Sequence, residues 1–177
     1  MPRLFSALKL PEDVTRYLKE LRTNLYGARW VEPSDYHMTL CFFGDLAQDK
    51  AYDLCEALDT PGSGIPLAVT LKELAVFGGT SPHSLVILAD VTPLLNSLHK
   101  KHELAARSVE IPIEKRKYQP HVTLARLKNV SSQEAAYTLS ELGFFRPLSF
   151  EVEHWGLFSS RSFKGGGPYV EEECFSI

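Results

Sequence analysis

The segment Tyr36-His37-Met38-Thr39-Leu40 returns, little changed, as Pro120-His121-Val122-Thr123-Leu124, 84 residues further on. Each copy reads as a short strand. Successive side chains of a strand point to opposite faces. Histidine and threonine therefore share one face, while Met38 with Leu40, or Val122 with Leu124, take the other. Only that second face suits a core. If the two strands lie side by side, two imidazoles and two hydroxyls converge on one spot, the equipment for moving protons around a bound phosphate. One such tetrapeptide alone carries little weight. The pair restricts the fold, because two distant stretches must become neighbours with the same face outward.

The chain between and around the copies repeats as well. Arg3 to Leu10 reads as a strand halted by Pro11. A helix follows, with Val14, Tyr17, Leu18, Leu21 and Leu25 at helical spacing and Gly27 as its stop. After the first histidine strand, which ends at Gly44, Asp45 caps a second helix together with Gln48, and Ala51, Leu54, Cys55 and Leu58 form its stripe. Residues 65–77 and 84–91 read as antiparallel strands joined through GGTSP. Thr92-Pro93 opens a third helix with Leu94, Leu95, Leu98 and Ala105 inward. A basic loop with Lys115, Arg116 and Lys117 leads to the second histidine strand. Ser131 and Glu134 make the capping box of a fourth helix that ends at Gly143. Strands at about 148–159 and 168–176 close the chain around the KGGG turn.

Strand, helix, histidine strand, helix, strand thus runs through twice. The repeat is visible locally: Ala51-Tyr52-Asp53-Leu54 follows His37 as Ala136-Tyr137-Thr138-Leu139 follows His121. The expected fold is α+β, with two pseudo-symmetric lobes. Each lobe is an antiparallel sheet with helices on its outer side, and the lobes face a central cleft. A length of 177 residues fits one domain spanning 1–177.

The balance of 44% hydrophobic and 23% charged residues is that of a soluble protein, and no apolar run approaches a membrane span. The N-terminus runs straight into a strand-like segment, so no secretory leader is expected. Cys41, Cys55 and Cys174 form no paired or CxxC set, which points to a reduced, cytoplasmic protein without disulfides. A net charge of −3 speaks against a long non-specific nucleic-acid footprint. It leaves room for a local basic patch gripping one or two phosphates, so any RNA would be held at an end or in a cleft. No obligate protein partner is evident, and a monomer is expected.

The opening RLFSALKLP, the blocks RWVEPSDYHMTLCFFGD and YQPHVTLARL, and the segment SSRSFKGGGPYV together resemble the two-histidine (2H) phosphoesterases. Within them the likeness is to the LigT-like RNA 2′,3′-cyclic phosphodiesterases, also called 2′-5′ RNA ligases. It covers essentially the whole chain. Asp35-Tyr36 stands where the family often has Asn-Leu, Asp45 where Glu is common, and Glu171–Glu173 make an unusually acidic end. The resemblance implies hydrolysis of a terminal 2′,3′-cyclic phosphate to a 2′-phosphate, with the reverse reaction joining a 5′-hydroxyl end. It makes His37 the proton donor and His121 the proton acceptor.

The chemistry follows from the residues too. A cyclic phosphodiester opens by in-line attack, so one group takes a proton from water while another protonates the departing oxygen. Imidazole, with a pKa near 6.5, serves in either role close to neutral pH. Thr39 and Thr123 can hold the non-bridging oxygens. No metal or cofactor is required. Arg126, Tyr118 and Lys117 are candidate substrate contacts, although strict alternation puts Arg126 on the face opposite His121 unless the strand bulges. The same count sets Cys41 and Phe43 on the face of His37, with Cys41 a floor residue rather than a reactive thiol. The basic loop reads equally as a solvated loop or an RNA guide.

Tyr118, Trp30 and Phe5 could stack on a base, though packing is the commoner role of such rings. His99 and His102 are spaced for a metal but lack further ligands, and a surface helix is the plainer reading. His83 falls in a loop and His154 on a strand face with Phe150 and Val152. Neither GGTS nor KGGG continues as a nucleotide-binding loop. The expected partners are RNA ends or small cyclic-phosphate nucleotides. The competing readings are the same chemistry on another cyclic nucleotide, such as an ADP-ribose cyclic phosphate, and a non-catalytic RNA or nucleotide-binding module.

Overall fold

A computed structural model describes residues 3–114, 116–160 and 168–177; Lys115 of the basic loop and the KGGG turn lie outside the described residues. The first half of the chain gives β1 (Arg3–Lys9), α1 (Glu12–Glu20), β2 (Ala28–Trp30), β3 (His37–Asp45), α2 (Gln48–Leu58) and β4 (Leu67–Phe77). The second gives β5 (Ser84–Ala89), α3 (Pro93–Ser108), β6 (His121–Leu127), α4 (Ser132–Leu142), β7 (Leu148–Val152), β8 (His154–Ser160) and β9 (Tyr169–Ser176).

The strands run in the order β7-β4-β5-β6-β3-β1-β8-β9, antiparallel throughout, with β2 added to β6. The two expected lobes are the two halves of this order, each four strands wide, with a histidine strand at its inner edge. They meet at a single residue pair, Met38 with Val122. Beyond that pair the partner of β6 becomes β2, from Ala125 to Leu127. The halves are interlocked: β4, from the first half, lies beside β5 of the second, and β8, from the second, lies beside β1 of the first.

One contiguous core joins the helices to one face of the sheet. Leu18 of α1, Leu54 of α2, Leu95 of α3 and Ala135 of α4 all belong to it, together with Met38, Leu40, Val122 and Leu124. Burying each of the leucines is worth about 1.5–3 kcal/mol. A second, small apolar cluster of Phe5, Ala7 and Phe158, with Tyr169 against it, is separate from this core.

Several boundaries differ from the sequence reading. Helix α1 stops at Glu20, short of Gly27, and part of the following stretch becomes β2, which appears only once β6 is there to pair with it. Asp45 does not cap α2; it ends β3 in an ion pair with Arg3 at 3.0 Å, and Ala47 stands at the cap. Leu94 is 61% exposed, because the third helix turns Leu95, His102 and Ala106 inward. The strand expected over 148–159 breaks at Glu153, and its two parts serve different lobes. His154 thus begins β8, exposed and opposite Ser176, rather than continuing the face of Phe150. The caps at Thr92 and Ser131 form as read, the latter with its full reciprocal box to Glu134.

Candidate active site

Each histidine is the first residue of its strand, and each folds back on its own backbone. His37 Nδ1 donates to the Asp35 carbonyl at 2.8 Å, and His121 Nδ1 donates to the Gln119 carbonyl at 2.8 Å. A carbonyl only accepts, so Nδ1 carries the hydrogen. The neutral ring therefore keeps its lone pair on Nε2. The short helical turn Pro33–Asp35 leads into the first histidine, and Pro120 stands immediately before the second.

The antiparallel pairing of Met38 with Val122 then does the assembling. Carried one residue further each way, it sets His121 beside Thr39 and His37 beside Thr123. A cavity of about 470 Å³ has both Thr39 and His121 in its wall. The two rings sense each other, since a charge on His121 would oppose one on His37.

Each histidine strand bulges at the same offset. Ser6 pairs with Cys41 and Ala7 with Thr39, leaving Leu40 without a partner on β1; Leu85 pairs with Ala125 and Val86 with Thr123, leaving Leu124 without one on β5. Two successive side chains therefore enter the core in each strand, Leu40 with Cys41 and Leu124 with Ala125, all at 4% exposure or less. The phase of the strand reverses. Arg126 comes back to the face of His121, as its bulge condition required. Cys41 leaves the face of His37, against expectation, and Phe42 takes its place while Phe43 is buried. Burial pushes the Cys41 thiol up to about 12, so it is no nucleophile at neutral pH.

The bulged carbonyls are held differently in the two lobes. Leu124 O accepts from the backbone of Val31 at 2.9 Å. Leu40 has no such strand beside it, and its carbonyl accepts from His99 Nδ1 at 2.7 Å. Tyr118 lies flat on His99, ring centres 3.9 Å apart and 5° from parallel, and donates its hydroxyl to the Thr39 carbonyl at 3.3 Å. Glu103 stands 3.6 Å from His99 Nε2. His99 thus lies under the site instead of on a surface helix, and Tyr118 grips the backbone of the first motif. His102 is likewise buried, bonded to Ser6 Oγ at 2.7 Å and packed on Trp155.

The electrostatics are unequal. Phe5 and Tyr169 each lie 4.9 Å from the His37 ring centre, with Phe158 at 6.5 Å behind them. Gly156 makes room for this wall, for a Cβ there would come within 2.7 Å of the Phe158 ring. Burial pushes His37 down to about 4 against the pull of the Asp35 carbonyl, and His121 and Arg126 lower it further. Among the described residues His121 has one ring close by, Phe77 at 4.9 Å; burial and Arg126 lower it too. Arg126 donates to Ser84 Oγ at 3.0 Å, while its buried Nε has no partner among the described residues. A guanidinium with a spare N–H beside two neutral imidazoles and two part-exposed threonines is a receptor for an anion. Lys117 lies exposed in the cavity wall, and Arg116 beside it is tied to Glu114 at 2.9 Å. Among the described residues no three His, Cys, Asp or Glu side chains are grouped as metal ligands.

Of the rings that complete this arrangement, sequence reasoning singles out Phe5 and Tyr118. It misses Phe42, Phe77, Phe158 and Tyr169. Phe42 carries a usable signal: it stands five residues after His37, as Arg126 stands five after His121.

Paired imidazoles with fixed tautomers, flanked by hydroxyls and a guanidinium on an interlocked double sheet, define a phosphoesterase of the two-histidine class. The profile described as LigT like Phosphoesterase matches residues 8–88 and again 87–169, one match to each half. The RNA 2′,3′-cyclic phosphodiesterase of Bacillus subtilis is 30% identical over 89% of this chain and 87% of its own. That of Aquifex aeolicus is 29% identical over 98% and 94%. Among solved structures, E. coli LigT complexed with 3′-AMP superposes with a TM-score of 0.76 at 21% identity, covering 100% of this chain and 99% of that one. A protein of Thermus thermophilus gives 0.79 at 24%, covering 98% and 97%. The chain belongs to the LigT-like phosphoesterase family.

Proposed function

We propose that this protein opens the 2′,3′-cyclic phosphate at an RNA end to a 2′-phosphate, with His37 and His121 as the acid–base pair. The relatives from Bacillus subtilis and Aquifex aeolicus carry that activity in their names. The observation that carries the reading is the antiparallel pair Met38–Val122, which brings the two motifs to one place with both Nε2 atoms unprotonated in the neutral rings. Thr39, Thr123 and Arg126 hold the phosphate oxygens as charge shifts onto them. With a 5′-hydroxyl end in place of water as the attacking group, the same steps form an O5′–P bond, break P–O3′ with protonation of the 3′ oxygen, and leave a 2′-5′ linkage. The functional unit is the single bilobal domain 1–177, a cytoplasmic monomer whose three cysteines remain thiols. No described helix is long and apolar enough to cross a membrane.

Incubation with a nucleoside 2′,3′-cyclic phosphate in excess EDTA tests this. The expected product is the 2′-phosphate, and His37→Ala and His121→Ala each lower kcat by about 10²- to 10⁴-fold with unchanged circular dichroism. Turnover of an ADP-ribose cyclic phosphate alone would move the assignment to another nucleotide, and binding without turnover would leave a phosphate-holding module.

The order of the two histidines has two readings. The family resemblance makes His37 the donor and His121 the acceptor, which requires the bound phosphate to raise His37 from about 4. The aromatic enclosure of His37 favours the reverse, with His121 as donor. A nitrophenyl phosphodiester decides, because its leaving group needs no acid: the variant lacking the donor keeps activity on it, and the variant lacking the acceptor does not.

A further inference from the structure

The Asp35 carbonyl holds the His37 ring, and the side chain of the same residue reaches a distant part of the chain. Asp35 Oδ1 accepts from the backbone N–H of Tyr169 at 3.3 Å, across 134 residues. Tyr169 opens β9, the outermost strand of the first lobe, whose ladder is with β8. Its ring stands edge-on to His37 at 4.9 Å and 85°, and to Phe5 at 5.1 Å and 80°. Asp35 therefore touches His37 through its backbone and fastens the ring beside His37 through its carboxylate. Of the charges around this imidazole among the described residues, His121 and Arg126 come from β6, and Lys9, opposite His37 on β1, is matched by Glu171 of β9. Burial acts on His37 more strongly than any of them.

Resting on the cyclic-phosphate reading above, we propose that Asp35 is a positioning residue for His37 that acts through Tyr169: its carboxylate oxygen pins the start of β9 and keeps the Tyr169 ring against the imidazole, with water shut out between them. What the place requires is an oxygen acceptor, and the negative charge is incidental. An imidazole under an aromatic cover charges less readily than one in water. Releasing the pin re-exposes His37 and returns its titration towards that of an ordinary histidine.

The test follows the His37 ring signals by nuclear magnetic resonance against pH, in the full chain without ligand. The wild type should titrate at about 4. Asp35→Ala and Tyr169→Leu should each move the midpoint up by about 1 pH unit or more, towards 6.5. The double variant should go no further than Tyr169→Leu alone, because the two residues act in series. Asp35→Asn keeps the acceptor and should restore the wild-type midpoint. The limb of kcat/KM against pH that reports His37, measured on adenosine 2′,3′-cyclic phosphate, should move up by the same amount whichever proton role His37 has. A raised midpoint in Asp35→Asn would make Asp35 act by its charge and overturn the proposal. Additive shifts in the double variant, or an unmoved midpoint in Asp35→Ala, would overturn it too, with the cyclic-phosphate activity intact. If Asp35→Ala does not fold by circular dichroism, an unmoved midpoint in Tyr169→Leu is enough to overturn it. No turnover by the wild type would overturn both the cyclic-phosphate reading and the part of Asp35 in it.

Discussion

His99 and Tyr118 show how residues in the wall beside the two histidine motifs can set the geometry of the site. Neither is aimed at a phosphate; each takes one backbone carbonyl of the first motif, Leu40 and Thr39 in turn. An unpartnered carbonyl beside a bulge costs about 1–3 kcal/mol when buried, so removing either donor should let Thr39 wander. The expected outcome for His99→Ala is a fall in kcat of at least tenfold with KM changed less. His99→Asn, which keeps a donor near the Nδ1 position, should recover most of it. Tyr118→Phe keeps the stack and loses only the hydroxyl, and a several-fold fall is expected. Steady-state kinetics on a nucleoside cyclic phosphate checks all three. A change in melting temperature with no change in kcat would reduce the two residues to packing.

At the scale of elements, the sequence discloses the helices and most strands because their signals are local. The capping box at Ser131 is an example, and Ser131→Ala should cost about 1 kcal/mol, seen as a fall of about 2–4 °C in melting temperature with activity unaffected. Bulges are another matter. Counting alternate residues assumes an unbroken ladder, and nothing within TLCFF or TLARL says which residue will lose its partner. The count therefore assigns faces correctly up to Thr39 and Thr123 and wrongly for Cys41 and Phe43 just beyond. Helix three misleads for a related reason. His99 and His102 look polar and external until Ser6, Leu40, Trp155 and Tyr118 arrive from distant segments to bond and cover them. The break at Glu153 is equally invisible, since both parts of 148–160 are good strand sequence and only the interlocking of the lobes separates them.

For the whole molecule, the buried imidazoles tie stability to pH. His37 is lowered to about 4 and His102 to about 3, both chiefly by burial, and His121 is lowered as well. A histidine of lowered pKa binds fewer protons folded than unfolded. Its contribution is complete above the unfolded value near 6.5 and is lost as the pH falls towards the folded one. The melting temperature should be flat from pH 8 to about 7 and drop between about 6.5 and 4. Replacing Ser6→Ala together with His102→Leu removes one titrating ring and its bonded partner at once, and should shrink the difference between melting at pH 7 and pH 5. An undiminished difference in calorimetry would show that His102 is not part of the cause.

The interlocking of the halves through β4 and β8 has one more consequence. A pair of identical half-chains traded in this way would be bound to present the same side chain at both positions following a bulge, two phenylalanines or two arginines. Because one continuous polypeptide supplies both, the copies are free to diverge, and a site built on twofold symmetry becomes unequal at its two ends, with a cation at one and an aromatic ring at the other.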